Sequence, residues 1–247
     1  MKVYGYSERG ILNSLIYEIR YANNGAALFD SLISKATFPL TDNKPSTGDS
    51  TVLVEQSLSQ FGEADAIILT SSNSANCTVF VEAKVLSQAQ DWQLSNEFNK
   101  FEDGLNTKVN SSNIFAQLYH KQRLVSVLTS DGIEALQQGV DFPSWSTNQR
   151  RKVGPHPVVL NSLNLIRRCN DNVYYLMLVP DTHQRVESFF ENRLRDLQLP
   201  AVPDWDASHY GFLTWATVKS FCKRNRLAAT LAVFAYNQGQ IFPENAG

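Results

Sequence analysis

The run Phe80-Val81-Glu82-Ala83-Lys84-Val85 sets a carboxylate and an amine two residues apart at the end of an apolar stretch. Side chains alternate along a strand, so Glu82 and Lys84 share one face while Val81, Ala83 and Val85 share the other. Upstream, Gly62-Glu63-Ala64-Asp65 precedes a second apolar run, and a hairpin pairing of the two brings Asp65 beside Glu82. Carboxylate oxygens on adjacent strands are what a hard, octahedral Mg²⁺ accepts, and a neighbouring ammonium can orient or help deprotonate a water held there. A Glu-x-Lys spacing alone also fits a surface strand with a cross-strand ion pair. Val79, Phe80, Val81 and Val85 argue against it, because they mark the strand as buried.

The elements that must position these groups are legible on either side. Ser7 is a natural N-cap, Glu8 lies in the first turn, and Ile11, Leu12, Leu15, Ile16 and Ile19 recur at helical spacing. Asn23-Asn24-Gly25 ends that helix, a shorter one follows over 26–36, and 37–50 reads as a loop. Strands are predicted over 52–61, 64–70 and 77–85, with the polar residues 71–76 joining the last two. The stretch 88–112 gives no assignable pattern. An amphipathic helix is predicted over 113–128, a buried strand over 173–179 and a helix over 184–197. There is no internal repeat and no low-complexity tract.

This order of elements, with Asp65, Glu82 and Lys84 where they stand, resembles the PD-(D/E)XK, or restriction-endonuclease-like, nuclease superfamily over about Ser7 to Leu128. The resemblance implies an α/β fold: a restriction-endonuclease-like core over 1–200, with a central mixed sheet flanked by helices. The remaining residues, 201–247, form a C-terminal helical or mixed extension packed on it. It implies a metal-dependent endonuclease acting on nucleic acid, on DNA rather than RNA because most of the superfamily cuts DNA. Its cofactor would be Mg²⁺, with Mn²⁺ as a substitute. Asp65, Glu82, Lys84 and Gln117 would be catalytic, and Asp65, Glu82, the carbonyl of Ala83 and Glu8 would hold the metal. Glu55 and Glu63 lie on strands that can also reach the site, and Glu55 is a reserve ligand. The family's proline before the first aspartate is absent, and Lys121 stands four residues after Gln117 where one subgroup has Tyr. Glu8 is equally an ordinary first-turn acid, and Gln117 equally a solvated helix residue.

Charge is unremarkable in total, with 22 Lys+Arg against 24 Asp+Glu, but uneven along the 247 residues. Segments 143–170 and 207–243 hold Arg150, Arg151, Lys152, Arg167, Arg168 and Lys219, Lys223, Arg224, Arg226 without a single acid. A phosphate-facing side is compatible with this, as is chance unevenness on a solvated surface. Arg150, Arg151, Lys152 and Lys121 are the nucleic-acid-binding candidates. Trp145, and Trp215 with Tyr210, are able to stack bases, although aromatics of this kind are more often core. The four histidines are isolated, and only His120, one turn from Gln117, stands near the candidate site. No Gly-rich phosphate loop, Gly-x-Ser-x-Gly elbow or informative Cys-His spacing is present.

Cys77, Cys169 and Cys222 give neither a disulfide framework nor a zinc spacing. The longest apolar run, 227–236, is half of what a membrane span needs, and the N-terminal residues lack a signal-peptide core. These features predict a cytoplasmic protein without membrane contact, and a homo-oligomer is compatible with them. Two other functions fit the same residues: a catalytically inactive nuclease-fold module that binds nucleic acid or protein, and a metal-dependent phosphoesterase for small molecules.

Overall fold

The computed structural model describes residues 4–5, 7–72, 75–86, 92–107, 113–142 and 149–242. Its first helix, α1 (Glu8–Tyr21), begins at the predicted cap, where Ser7 Oγ accepts from the Gly10 N–H. It buries Ile11, Leu12, Leu15 and Ile19, and α2 (Gly25–Ile33) follows. Three strands come next, β1 (Asp49–Ser57), β2 (Glu63–Ser71) and β3 (Cys77–Ala83), paired antiparallel in sequence order. Residues 59–61, predicted as strand, form a 3-10 turn between β1 and β2 instead. Every residue of β3 is buried, because it lies inside the sheet with β2 on one side and β6 (Asn172–Val179) parallel on the other.

The strand β7 (Tyr210–Thr214) adds to β6, again parallel, so the mixed sheet runs β1-β2-β3-β6-β7. The fold class is therefore α/β, with a five-stranded mixed sheet flanked by helices. The expected boundary at residue 200 does not fall at the edge of this sheet, since the C-terminal segment supplies its last strand. That segment continues into α8 (Trp215–Asn225), α9 (Ala228–Tyr236) and the single turn α10 (Gln238–Ile241).

Strand alternation divides the core into two. Val79, Val81, Leu176 and Leu178 pack with the apolar residues of α1, α2, α8 and α9. Ile67, Leu69, Phe80, Tyr175 and Met177 pack on the opposite side with α3 (Leu94–Thr107), α4 (Ile114–Ser130), α6 (Pro157–Arg168) and α7 (His183–Phe189). The helix α5 (Gly132–Gln138) and a small hairpin, β4 (Val140–Phe142) with β5 (Gln149–Arg151), complete the chain. The helix predicted over 184–197 is shorter than expected: α7 gives way to a π-turn over 190–194. No helix among the described residues is long and apolar enough to cross a membrane.

Candidate active site

Glu82 has the parity of Phe80, so it faces the layer that contains α4. Register explains how Asp65 comes to it. The β2–β3 ladder runs from Thr70 opposite Cys77 to Ala66 opposite Val81, and one step further sets Asp65 against Glu82. Regular pairing stops there, and the Asp65 carboxylate substitutes for it: Oδ2 accepts from the Ala83 N–H at 2.8 Å. This satisfies a buried backbone donor that would otherwise cost free energy. Asp65 is thus fixed to the residue between Glu82 and Lys84.

Each carboxylate already has an internal cation, supplied by opposite layers. Arg9, in the first turn of α1, donates from Nε to Asp65 Oδ1 at 3.2 Å and places Nη2 2.7 Å from Glu63 Oε2. This guanidinium is 41% exposed. Lys121 of α4 places Nζ 2.7 Å from Glu82 Oε1, and both side chains are only 1% exposed. The same ammonium donates to the Glu63 carbonyl at 2.7 Å. Burial pushes the Glu82 carboxyl above its ordinary range; Lys121 opposes that rise, the nearby Asp65 charge adds to it, and Lys84 opposes it more weakly.

Gly62 makes room for this arrangement. Its φ of 88° and ψ of −174° lie in a region open essentially to glycine alone, and a Cβ there would stand 3.4 Å from Lys121 Nζ. Lys84 is half-buried and anchored through its backbone, donating to the Leu178 carbonyl and accepting from Trp215 Nε1, both at 2.8 Å. Its ammonium has neither a hydrogen bond nor an ion pair among the described residues, and is left available.

The structure separates the remaining site candidates. Gln117 lies one turn before Lys121 on α4, half-buried, with a buried Oε1 that has no hydrogen-bond partner among the described residues. Glu8 is half-buried beside Arg9 in the first turn of α1, and its carboxylate has neither a hydrogen bond nor an ion pair among the described residues. Glu55 lies within β1 with φ 51°, between Val54 opposite Ala66 and Gln56 opposite Ala64, so the register is unbroken across it; its exposed carboxylate accepts from Asn13 of α1. Among the described residues, no group of three or more His, Cys, Asp and Glu is arranged to hold a metal ion. The β2–β3 register gathers the carboxylates of Asp65 and Glu82 and the backbone of Ala83 at one point, and Gln117 Oε1 lies one turn from the lysine that Glu82 now holds.

The basic candidates need correction at Lys121, which sequence reasoning grouped with the nucleic-acid contacts: it is fully buried against Glu82 and cannot meet a backbone phosphate from there. Arg150 is exposed, paired with Asp141 and bonded to the Gly139 carbonyl within its own hairpin. Arg151 donates to the Gln60 carbonyl, while the Lys152 N–H donates to Gln60 Oε1 at 2.8 Å. This run is therefore tied to the turn that leads into Glu63, and of the three only Lys152 presents a side chain uncommitted among the described residues. Near Arg151 and Lys121, His120 is held well below its ordinary pKa by burial, with the charges of those two residues adding to the effect. Trp215 and Tyr210 are fully buried core residues rather than base-stacking platforms, and Trp145 lies outside the described residues.

Sequence reasoning missed Arg9, whose type and position carry no signal apart from the fold. It also missed the partnership of Lys121 with Glu82, for which the spacing from Gln117 was the available clue. Beyond the site, the parallel strands β3, β6 and β7 end on one edge of the sheet. An open groove of about 530 Å³ lies there, lined by Asn99, Asp181, Gln184, Arg185, Asn192 and Arg193 among others. The chain matches no protein-family model, no curated protein and no solved structure.

Proposed function

We propose that this protein is a restriction-endonuclease-like, divalent-metal-dependent nuclease that hydrolyses phosphodiester bonds, with DNA favoured over RNA by analogy to that superfamily alone. The observation that carries the reading is the tie from Asp65 to the Ala83 N–H, which sets Asp65 beside the buried Glu82 with Lys84, whose ammonium is unpaired among the described residues, one residue further on. Mg²⁺ or Mn²⁺, when bound by Asp65, Glu82 and the Ala83 carbonyl, would supply Lewis-acid polarisation of the scissile phosphate. Lys84 is the group left to hold an attacking water in line and to meet negative charge as it develops. Its backbone bonds to Leu178 and Trp215 fix where that ammonium starts. Lys152, exposed and uncommitted among the described residues, is the phosphate contact in this reading, and the groove between α3 and α7 is the wider path for a strand.

One observation favours a second reading, an inactive binding module of the same fold: Arg9 and Lys121 already neutralise both carboxylates. Cleavage decides between them. Supercoiled plasmid incubated with Mg²⁺ should be nicked or linearised and protected by EDTA, and Lys84→Ala should lose on the order of 10² to 10³ in rate while retaining DNA binding. Lys152→Ala should weaken binding and flatten its salt dependence, with little effect on cutting at saturation. Absent cleavage, with DNA retained in a filter-binding assay, would instead establish the binding module, and cleavage that persists in EDTA would overturn the metal-dependent reading. Full activity in Lys84→Ala would remove Lys84 from the chemistry.

A further inference from the structure

Resting on the metal-dependent reading above, we infer that Lys121 is an exchangeable counter-cation: its ammonium occupies the place at Glu82 that a divalent ion takes, and it moves to Gln117 when that ion binds. Its present partners are a carboxylate oxygen and a backbone carbonyl oxygen, each at 2.7 Å. Those are the donors a hard cation selects. Three carboxylates, Glu63, Asp65 and Glu82, are balanced by Arg9, Lys84 and Lys121, so the cluster is neutral before any metal arrives.

A divalent ion added with every cation in place would bury excess positive charge. Arg9 does not impose the threshold, because its guanidinium is 41% exposed and can turn into water at small cost. Lys121 is 1% exposed and has no such route. It needs an acceptor inside the protein, and Gln117 Oε1 is one: buried, without a partner among the described residues, and four residues earlier on the same helix, where side chains meet. The orphaned amide oxygen and the buried ammonium are then the two ends of one movement. In the absence of metal, the Glu82 charge remains compensated and the site stays closed to weakly binding ions.

Mn²⁺ binding measured by calorimetry on the full chain, without nucleic acid, tests this. Lys121→Met should bind Mn²⁺ at least tenfold more tightly than wild type, since no ammonium has to be displaced. Lys121→Gln keeps a hydrogen-bond donor near Glu82 without the charge, so it should also bind more tightly, and it decides the matter if the methionine variant does not fold. Gln117→Leu should bind more weakly than wild type, having lost the alternative acceptor, and Asp65→Asn should abolish binding. Lys121 variants that bind no more tightly than wild type, through a site still lost in Asp65→Asn, overturn the exchange and leave the metal site standing. Absence of Mn²⁺ binding in every form overturns the exchange and the metal-dependent reading together.

Discussion

The Glu82–Lys121 pair makes a quantitative demand on stability that is independent of any catalytic role. At 2.7 Å and an effective dielectric constant of about 20, the two charges attract by about 6 kcal/mol. Against this stands the desolvation of two ions, several kcal/mol each, so the pair as a whole contributes little net stability. Removing one member forfeits the attraction and strands the other charge in the core, which costs about 3–5 kcal/mol. Glu82→Met and Lys121→Met should each be destabilised by that amount in urea titrations followed by circular dichroism at pH 7 with EDTA present. The double variant loses both charges and leaves only the Glu63 carbonyl short of a donor, so it should cost about 1–3 kcal/mol. It should therefore be more stable than either single variant, with a coupling on the order of 5 kcal/mol between the sites. Additive single and double effects, or single effects below about 1 kcal/mol, would show that the pair is solvated and that the buried site has been misread.

Two further outcomes follow from the same neighbourhood. Gly62→Ala places a Cβ in a backbone region reserved for glycine, so it should cost about 1–3 kcal/mol in the same titration, and a neutral effect would mean that the turn before Asp65 is not held as described. His120, disfavoured as a cation by burial and then by Arg151 and Lys121, binds its proton less well folded than unfolded. Its contribution is therefore fully present above the unfolded value of about 6.5 and falls as pH drops below it, by at most about 1.4 kcal/mol per pH unit. Stability curves of wild type and His120→Gln between pH 7.5 and 5 should diverge in that sense, and parallel curves would reject the assignment.

The sequence made the carboxylates legible and their cations illegible, for a physical reason. Asp65 and Glu82 lie on strands, with Lys84 one residue past the end of β3, and the apolar flanks and period of two fix which face each takes, while the short link between β2 and β3 fixes which residues stand opposite. Arg9 and Lys121 reach those strands from helices packed on either side of the sheet, and no local pattern says which polar residue of a helix will meet which strand. The same division runs through the fold. α1 and α4 were legible from cap and periodicity, whereas in α3 the stripe Leu94, Phe98, Phe101 and Leu105 has helical spacing but is easily passed over because polar residues fill the positions between. β7, five residues long and buried throughout, carries no alternation because both of its faces are covered, which is the condition under which a strand is hardest to tell from its neighbours in sequence. The lysine at position 121 joins these two limits. Its charge suggested a surface contact with phosphate, but its place on the inward face of α4, four residues after Gln117, sends it to Glu82. Whether it serves there as a fixed brace or as the cation that a metal replaces is a question of exchange, which the Mn²⁺ affinities of its variants answer.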